Sequence, residues 1–358
     1  MGETGPVLGV VEGFYGEPWG WEERHASLEF LSSRGFSHYL YAPKAERALR
    51  RTWREPPGPD QQQAWADFRT ACHARGIGFG VGLSPLGLHE TWDHQGRIDL
   101  KRRLRSLADL KVDQLAILFD DMPGSFPDLA RTQAEILSFV ADCATGASLL
   151  MCPTYYSDAA VLDKVFGARP SGYLEELGET LAPDVRIFWT GPEVCSTSYP
   201  QDHLAQVVAR LGRRPVLWDN YPVNDGPRMC RRLHLAAPDR PSSLGESVAG
   251  VFLNPMNQPR LSRVALDAVA CSLRSPEQAV GDESATTAAL RRVFPPALAS
   301  LLERDWRLFG EAGLDGITTD ASTSRIQEYA AVDHPAAREV VHWLKGQSLV
   351  TAEVLTDV

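Results

Sequence analysis

Short apolar runs alternate along this chain with longer stretches in which apolar residues recur at helical spacing. The runs Val7 to Val11, His38 to Tyr41, Ile77 to Leu83, Gln114 to Phe119, Ser148 to Cys152, Val185 to Trp189, Pro215 to Trp218 and Gly250 to Leu253 read as strands. Apolar runs of this length, bounded by turn residues, predict strands covered on both faces, as in parallel α/β sheets. Between them, Trp21 to Ser33, Gln61 to Arg75, Leu100 to Leu110, Pro127 to Cys143 and His203 to Leu211 carry helical periodicity. Strands that each precede a helix or its remnant predict a (β/α)8 TIM barrel. An open doubly wound sheet is the alternative, because alternation does not show closure. The connection from Tyr221 to Ala249, rich in Pro, Gly and Ser, is the irregular one.

After Ser275 the character changes. Pro276 to Thr287 is polar, and Ala288 to Gly310 and Ala336 to Gly346 return to helical spacing around Trp306 and Trp343. The expected organisation is a catalytic barrel over residues 1–275 and a small C-terminal helical appendage over 276–358. Capping the barrel, forming a homodimer and supporting an adjoining cleft are all open to the appendage.

Composition narrows the class. At 358 residues, with 44% hydrophobic and 23% charged, the chain can form one large domain with an attached unit. A net charge of -10 gives no basic footprint for nucleic acid and favours a neutral substrate. The six cysteines are scattered without metal-ligand or disulfide-framework spacing. No stretch is long enough for a membrane span, and a first strand at Val7 leaves no room for a leader, so the cytoplasm is the expected compartment.

The chemistry is expected at the C-terminal ends of the strands, where such barrels carry their sites. Leu115 to Phe119 runs straight into Asp120 and Asp121. One aspartate there would read as a cap for the helix near Pro127; two together point to a site. Elsewhere the strand ends carry Glu12-Gly13-Phe14-Tyr15-Gly16, Ala42-Pro43-Lys44, Pro153-Thr154-Tyr155-Tyr156, Thr190-Gly191-Pro192-Glu193, Asp219 to Asp225 and Asn254-Pro255-Met256-Asn257. Each alone is ordinary loop chemistry. Converging on one rim, the hydrogen-bonding groups and aromatic walls, Tyr15 among them, suit a sugar pocket. Two other classes stay open: a metal-dependent barrel using Asp120, Asp121 and Glu12 as oxygen ligands, and a non-catalytic sugar-binding barrel.

The motifs Gly9-Val10-Val11-Glu12-Gly13-Phe14-Tyr15-Gly16, Tyr39-Leu40-Tyr41-Ala42-Pro43-Lys44, Leu118-Phe119-Asp120-Asp121, Cys152-Pro153-Thr154, Trp189-Thr190-Gly191-Pro192 and Trp218-Asp219-Asn220 resemble glycoside hydrolase family 84. That family holds protein O-GlcNAcases and bacterial β-N-acetylglucosaminidases, some described as hyaluronidases. The resemblance covers about three quarters of the chain, in order on successive strands. It implies a retaining exo-β-N-acetylglucosaminidase acting on β-linked N-acetylglucosamine of a protein or glycan, without metal or organic cofactor. The substrate's acetamide would serve as nucleophile, through an oxazoline. A glycosaminoglycan hydrolase of hyaluronan type is the milder rival, disfavoured by the acidic charge.

By the same resemblance Asp120 would orient the acetamide and Asp121 would act as acid and base, its proton affinity raised by its charged neighbour. The Gly13 backbone, Lys44 and Asn254 would meet hydroxyls, and Asp225 those at positions four and six. Asn220 would bind near the acetamide and Tyr156 its oxygen, with Cys152, Thr190 and Trp218 around the methyl group. The chain departs from the family pattern at Ala45-Glu46, Leu49 and Leu86, all rim positions that bear on aglycone preference.

Overall fold

The computed structural model describes residues 6–144, 146–274 and 283–351. Its strands are β1 (Val7–Glu12), β2 (His38–Tyr41), β3 (Gly78–Leu83), β4 (Gln114–Leu118), β5 (Ser148–Cys152), β6 (Arg186–Trp189), β7 (Val216–Asp219) and β8 (Gly250–Leu253). They form a closed parallel barrel in sequence order. Closure is made by β1 against β8, with Val7 opposite Gly250 and Val10 opposite Leu253. The open-sheet alternative is thereby excluded, and the (β/α)8 barrel stands. Every residue of β4 is buried, as its unbroken apolar run requires.

The surrounding helices are α1 (Trp21–Ser33), α2 (Pro59–His73), α3 (His94–Ala108), α4 (Leu129–Cys143), α5 (Ala160–Phe166), α6 (Tyr173–Thr180), α7 (Gln201–Leu211), α8 (Leu244–Ser247) and α9 (Pro259–Arg274). Helix α3 starts at His94 rather than Leu100 because Asp93 caps it, its carboxylate accepting the Gly96 amide at 2.8 Å. Helix α4 starts at Leu129, and neither Asp120 nor Asp121 caps it. Helices α5 and α6 carry no periodic signal long enough to predict; Gly167 and Gly172, both at positive φ, punctuate the pair.

Of the polar stretch Pro276 to Thr287, residues 276–282 lie outside the described residues. The C-terminal helices are α10 (Glu283–Val293), α11 (Pro296–Arg307), α12 (Thr319–Ala330) and α13 (Pro335–Leu344). Leu290, Leu298, Leu302, Phe309, Val340 and Trp343 form a second hydrophobic core shared with Leu261 and Val264 of α9 and with Leu233, Leu235 and Met256. This helical region therefore packs on the last barrel helix and on the long connection after β7. Among the described residues, no helix is long and apolar enough to cross a membrane.

Candidate active site

All twelve residues expected at the site line one pocket of about 560 Å³ at the C-terminal mouth of the barrel. Gly13 and Tyr15 follow β1, Lys44 follows β2, and Asp120 and Asp121 follow β4. Cys152 ends β5, with Tyr156 just beyond; Thr190 follows β6; Trp218 lies in β7 with Asn220 and Asp225 after it; Asn254 follows β8. Val194, Cys195, Val223 and Met229 complete the lining. Val223 lies within the Asp219 to Asp225 run, whereas no periodicity or motif marks Val194, Cys195 and Met229.

The two aspartates occupy different surroundings. Asp120 Oδ2 takes the Lys44 ammonium in a buried ion pair. Its Oδ1 is buried with no hydrogen-bond partner. An unsatisfied carboxylate oxygen in such a place is an acceptor waiting for a donor. Lys44, expected to meet a sugar hydroxyl, is thus engaged with Asp120 and lies 5.7 Å from the centre of the Trp218 ring.

Asp121 has φ 58, a left-handed conformation that aspartate tolerates better than most residues. Tyr15 donates its hydroxyl to Asp121 Oδ2, and Tyr156 donates to Oδ1 at 3.4 Å. Burial is the largest influence on the Asp121 carboxyl and pushes its pKa up. The charge of Asp120 adds to the rise, while Lys44, the Tyr15 hydroxyl and Arg50 oppose it. The neighbouring charge was the expected cause; burial is the greater one. Burial also pushes the Tyr15 phenol far above its usual range, so Tyr15 remains a donor. Arg50 Nη2 in turn donates to the Tyr15 hydroxyl at 3.0 Å, a partner that no motif pointed to.

The opposite wall is a chain of amides. Asn254 Oδ1 accepts the Gly13 amide at 3.2 Å, and Asn254 Nδ2 donates to Asn220 Oδ1 at 3.0 Å. The same Asn220 oxygen accepts the Trp218 indole at 3.0 Å, while Asn220 Nδ2 reaches the Val194 carbonyl at 2.9 Å. Gly13 is required here by close approach: a Cβ on it would lie 2.2 Å from the Trp218 ring. Asp225 Oδ2 accepts the Tyr15 amide at 2.8 Å, and burial lifts its pKa to about 6. The Cys152 thiol, also buried, is pushed well above its ordinary value and stays protonated. Thr190 turns its hydroxyl to the Glu193 carbonyl at 3.0 Å.

Glu12 does not join the aspartates. Its carboxylate takes Arg24 Nε at 2.8 Å and Nη2 at 2.7 Å, the Tyr39 hydroxyl at 2.6 Å and the Trp19 amide at 3.2 Å. Both its oxygens are engaged beneath the pocket, so the three-carboxylate cation site weighed from the sequence is not assembled.

Comparison with known proteins identifies the family. The family model for beta-N-acetylglucosaminidase matches residues 8–304. The protein O-GlcNAcases of Rattus norvegicus and Mus musculus are each 29% identical over 361 residues, covering 94% of this chain. The chain spans 38% of the length of those relatives. A mutant of the O-GlcNAc hydrolase of Thermobaculum terrenum superposes with a TM-score of 0.76 at 29% identity, over 95% of this chain and 81% of that one. With a family model spanning the barrel and the first helices beyond it, this chain belongs to the beta-N-acetylglucosaminidases of glycoside hydrolase family 84.

Proposed function

We propose that the chain is a retaining exo-β-N-acetylglucosaminidase that removes β-linked N-acetylglucosamine by substrate-assisted catalysis. The observation that carries this reading is the contrast within the pair: Asp120, ion-paired through one oxygen, leaves the other unengaged, while burial raises the proton affinity of Asp121. Such a division separates an anion from an acid.

In the proposed reaction the acetamide N–H donates to Asp120 Oδ1, which favours attack by the acetamide oxygen on the anomeric carbon. The glycosidic bond breaks as the Asp121 proton passes to the leaving oxygen, giving an oxazoline. Asp121, now a carboxylate, takes a proton from water as that water opens the ring, and the configuration is retained. Tyr156, which donates to Asp121 Oδ1 at 3.4 Å, would turn its hydroxyl to the acetamide oxygen. The amide chain of Asn220 and Asn254, with Asp225, offers acceptors and donors for the hydroxyls.

The test is a series of aryl N-acetylglucosaminides with progressively fluorinated acetyl groups. Turnover is expected to fall steeply as the acetamide oxygen loses basicity. A rate independent of fluorination would remove substrate assistance.

A further inference from the structure

Beyond the sugar pocket, and sharing Tyr15 and Lys44 with it, a groove of about 2,730 Å³ runs between the loops after β1 and β2 and the C-terminal helix α13. On the sugar-pocket reading, what is attached to a sugar in the pocket would leave by this side. The proposed acid, Asp121, binds the Tyr15 hydroxyl, which binds Arg50, and Arg50 lies in the groove wall.

That wall is unusually cationic for a chain of net charge -10. Arg47, Arg50 and Arg51 stand together on the segment after Lys44, and all three line the groove. Arg47 and Arg51 are exposed. Neither has a salt-bridge partner among the described residues, in contrast to Arg24, Arg34, Arg240 and Arg304, each held by a carboxylate. Glu46, the acid beside them in sequence, is turned away: it accepts Gln61 at 2.7 Å and the Ala48 amide at 3.2 Å. The groove's own acids are mostly occupied. Glu23 pairs with Arg260 at 2.5 Å, and Glu339 accepts the Arg260 and Leu261 amides at the start of α9, both at 2.9 Å. The facing wall adds Arg338 and His342 of α13.

We propose that this groove binds the polypeptide part of a glycosylated substrate and selects for acidic residues beside the sugar, with Arg47 and Arg51 as the selecting residues. The proposal rests on the sugar-pocket reading above. An open groove that takes an extended chain, with unpaired guanidinium groups along one edge, fits carboxylate-bearing peptide better than a neutral glycan. It also gives α13 a role, as the second wall.

The experiment compares wild type with the Arg47→Glu/Arg51→Glu double variant and with Arg47→Lys/Arg51→Lys. Three probes are used: a small aryl N-acetylglucosaminide, serine-linked N-acetylglucosamine peptides with acidic or basic flanks, and a glucuronate-containing N-acetylglucosamine oligosaccharide. Wild type should favour the acidic over the basic peptide in kcat/KM by roughly tenfold at low salt, an advantage that shrinks in high salt as exposed charges are screened. The Glu variant should lose or invert that preference while cleaving the aryl substrate as wild type does; the Lys variant should keep most of it. Thio-linked, uncleavable versions of the two peptides, measured by fluorescence anisotropy, read the groove independently of turnover. Equal binding of the acidic and basic thio-peptides overturns the groove proposal, whereas absent aryl turnover overturns the sugar-site reading instead. A preference confined to the uronate oligosaccharide would replace the peptide with an anionic glycan and so overturn the proposal.

Discussion

Two buried ion pairs stand at the C-terminal strand ends of this barrel and are built to opposite purposes. Glu12 with Arg24 and Asp120 with Lys44 are almost equally covered, at 0% and 4% exposure for the first pair and 9% and 4% for the second. Burial alone therefore does not distinguish them. The difference lies in completeness. Both Glu12 oxygens are saturated by guanidinium, phenol and backbone amide, whereas Asp120 keeps one oxygen with no partner. A fully satisfied charged network rigidifies a scaffold, and a partly satisfied one retains interaction energy for a ligand. Glu12, which looked like a third member of an acidic site, belongs to the first kind. It fixes Trp19 and so anchors the loop that carries Gly13 and Tyr15.

The largest test of this contrast is on the site side. Asp120→Asn should lower kcat roughly a hundredfold to a thousandfold for all leaving groups, since in the proposed mechanism it removes one preorganised electrostatic contact to the transition state. Some stability should be lost too, because Lys44 is left buried beside a neutral group, so the effect is read as kcat of the folded enzyme. Asp121→Ala should match that loss for poor leaving groups but largely spare activated aryl glycosides; identical leaving-group sensitivity in the two variants would contradict the division of roles.

On the scaffold side the effect should appear in stability. Glu12→Gln leaves Arg24 buried beside a neutral group and should cost about 3–5 kcal/mol, read as a lowered urea midpoint. The activity of the molecules that remain folded should change little. Should activity collapse while stability holds, Glu12 would have to be moved to the catalytic side.

Asp225 lies between the extremes, with the Tyr15 amide on one oxygen and a pKa lifted from 3.8 to about 6 by burial. Its charged form, the better acceptor for hydroxyls, is lost as pH falls through about 6, so kcat/KM should show an acid limb there. Asp225→Asn should lower activity modestly and remove that limb from the pH profile. The sign for folding is the reverse of a salt-bridged aspartate: the folded state holds this proton more tightly than the unfolded chain. Asp225 therefore makes the fold less stable as pH rises from 3.8 to about 6.

Much of this was legible in the chain before folding. The apolar runs placed the strands within a residue or two, because a parallel barrel buries both faces of each strand and leaves an unbroken apolar signature. Closure was not legible, since the β1–β8 pairing joins the two ends of the barrel sequence and leaves no local trace. Helix α12 escaped because it is mostly polar, with Tyr329 its one buried residue. At the site, strand-end motifs named the lining, but pairings across the pocket were hidden. Nothing in the sequence says that Lys44 pairs with Asp120 or that Arg50 reaches Tyr15, because those contacts are made by loops from different strands.

The bond from the Gly13 amide to Asn254 spans 241 residues of sequence. On a ribosome adding about 5–20 residues per second, the first of these groups waits roughly 10–50 s for the second to be made. During that interval both aspartates have already been synthesised while the far wall of the pocket does not exist. On the proposed function, a nascent chain is consequently unable to turn over substrate until β8 closes the ring, and any truncation before Gly250 yields an unclosed barrel.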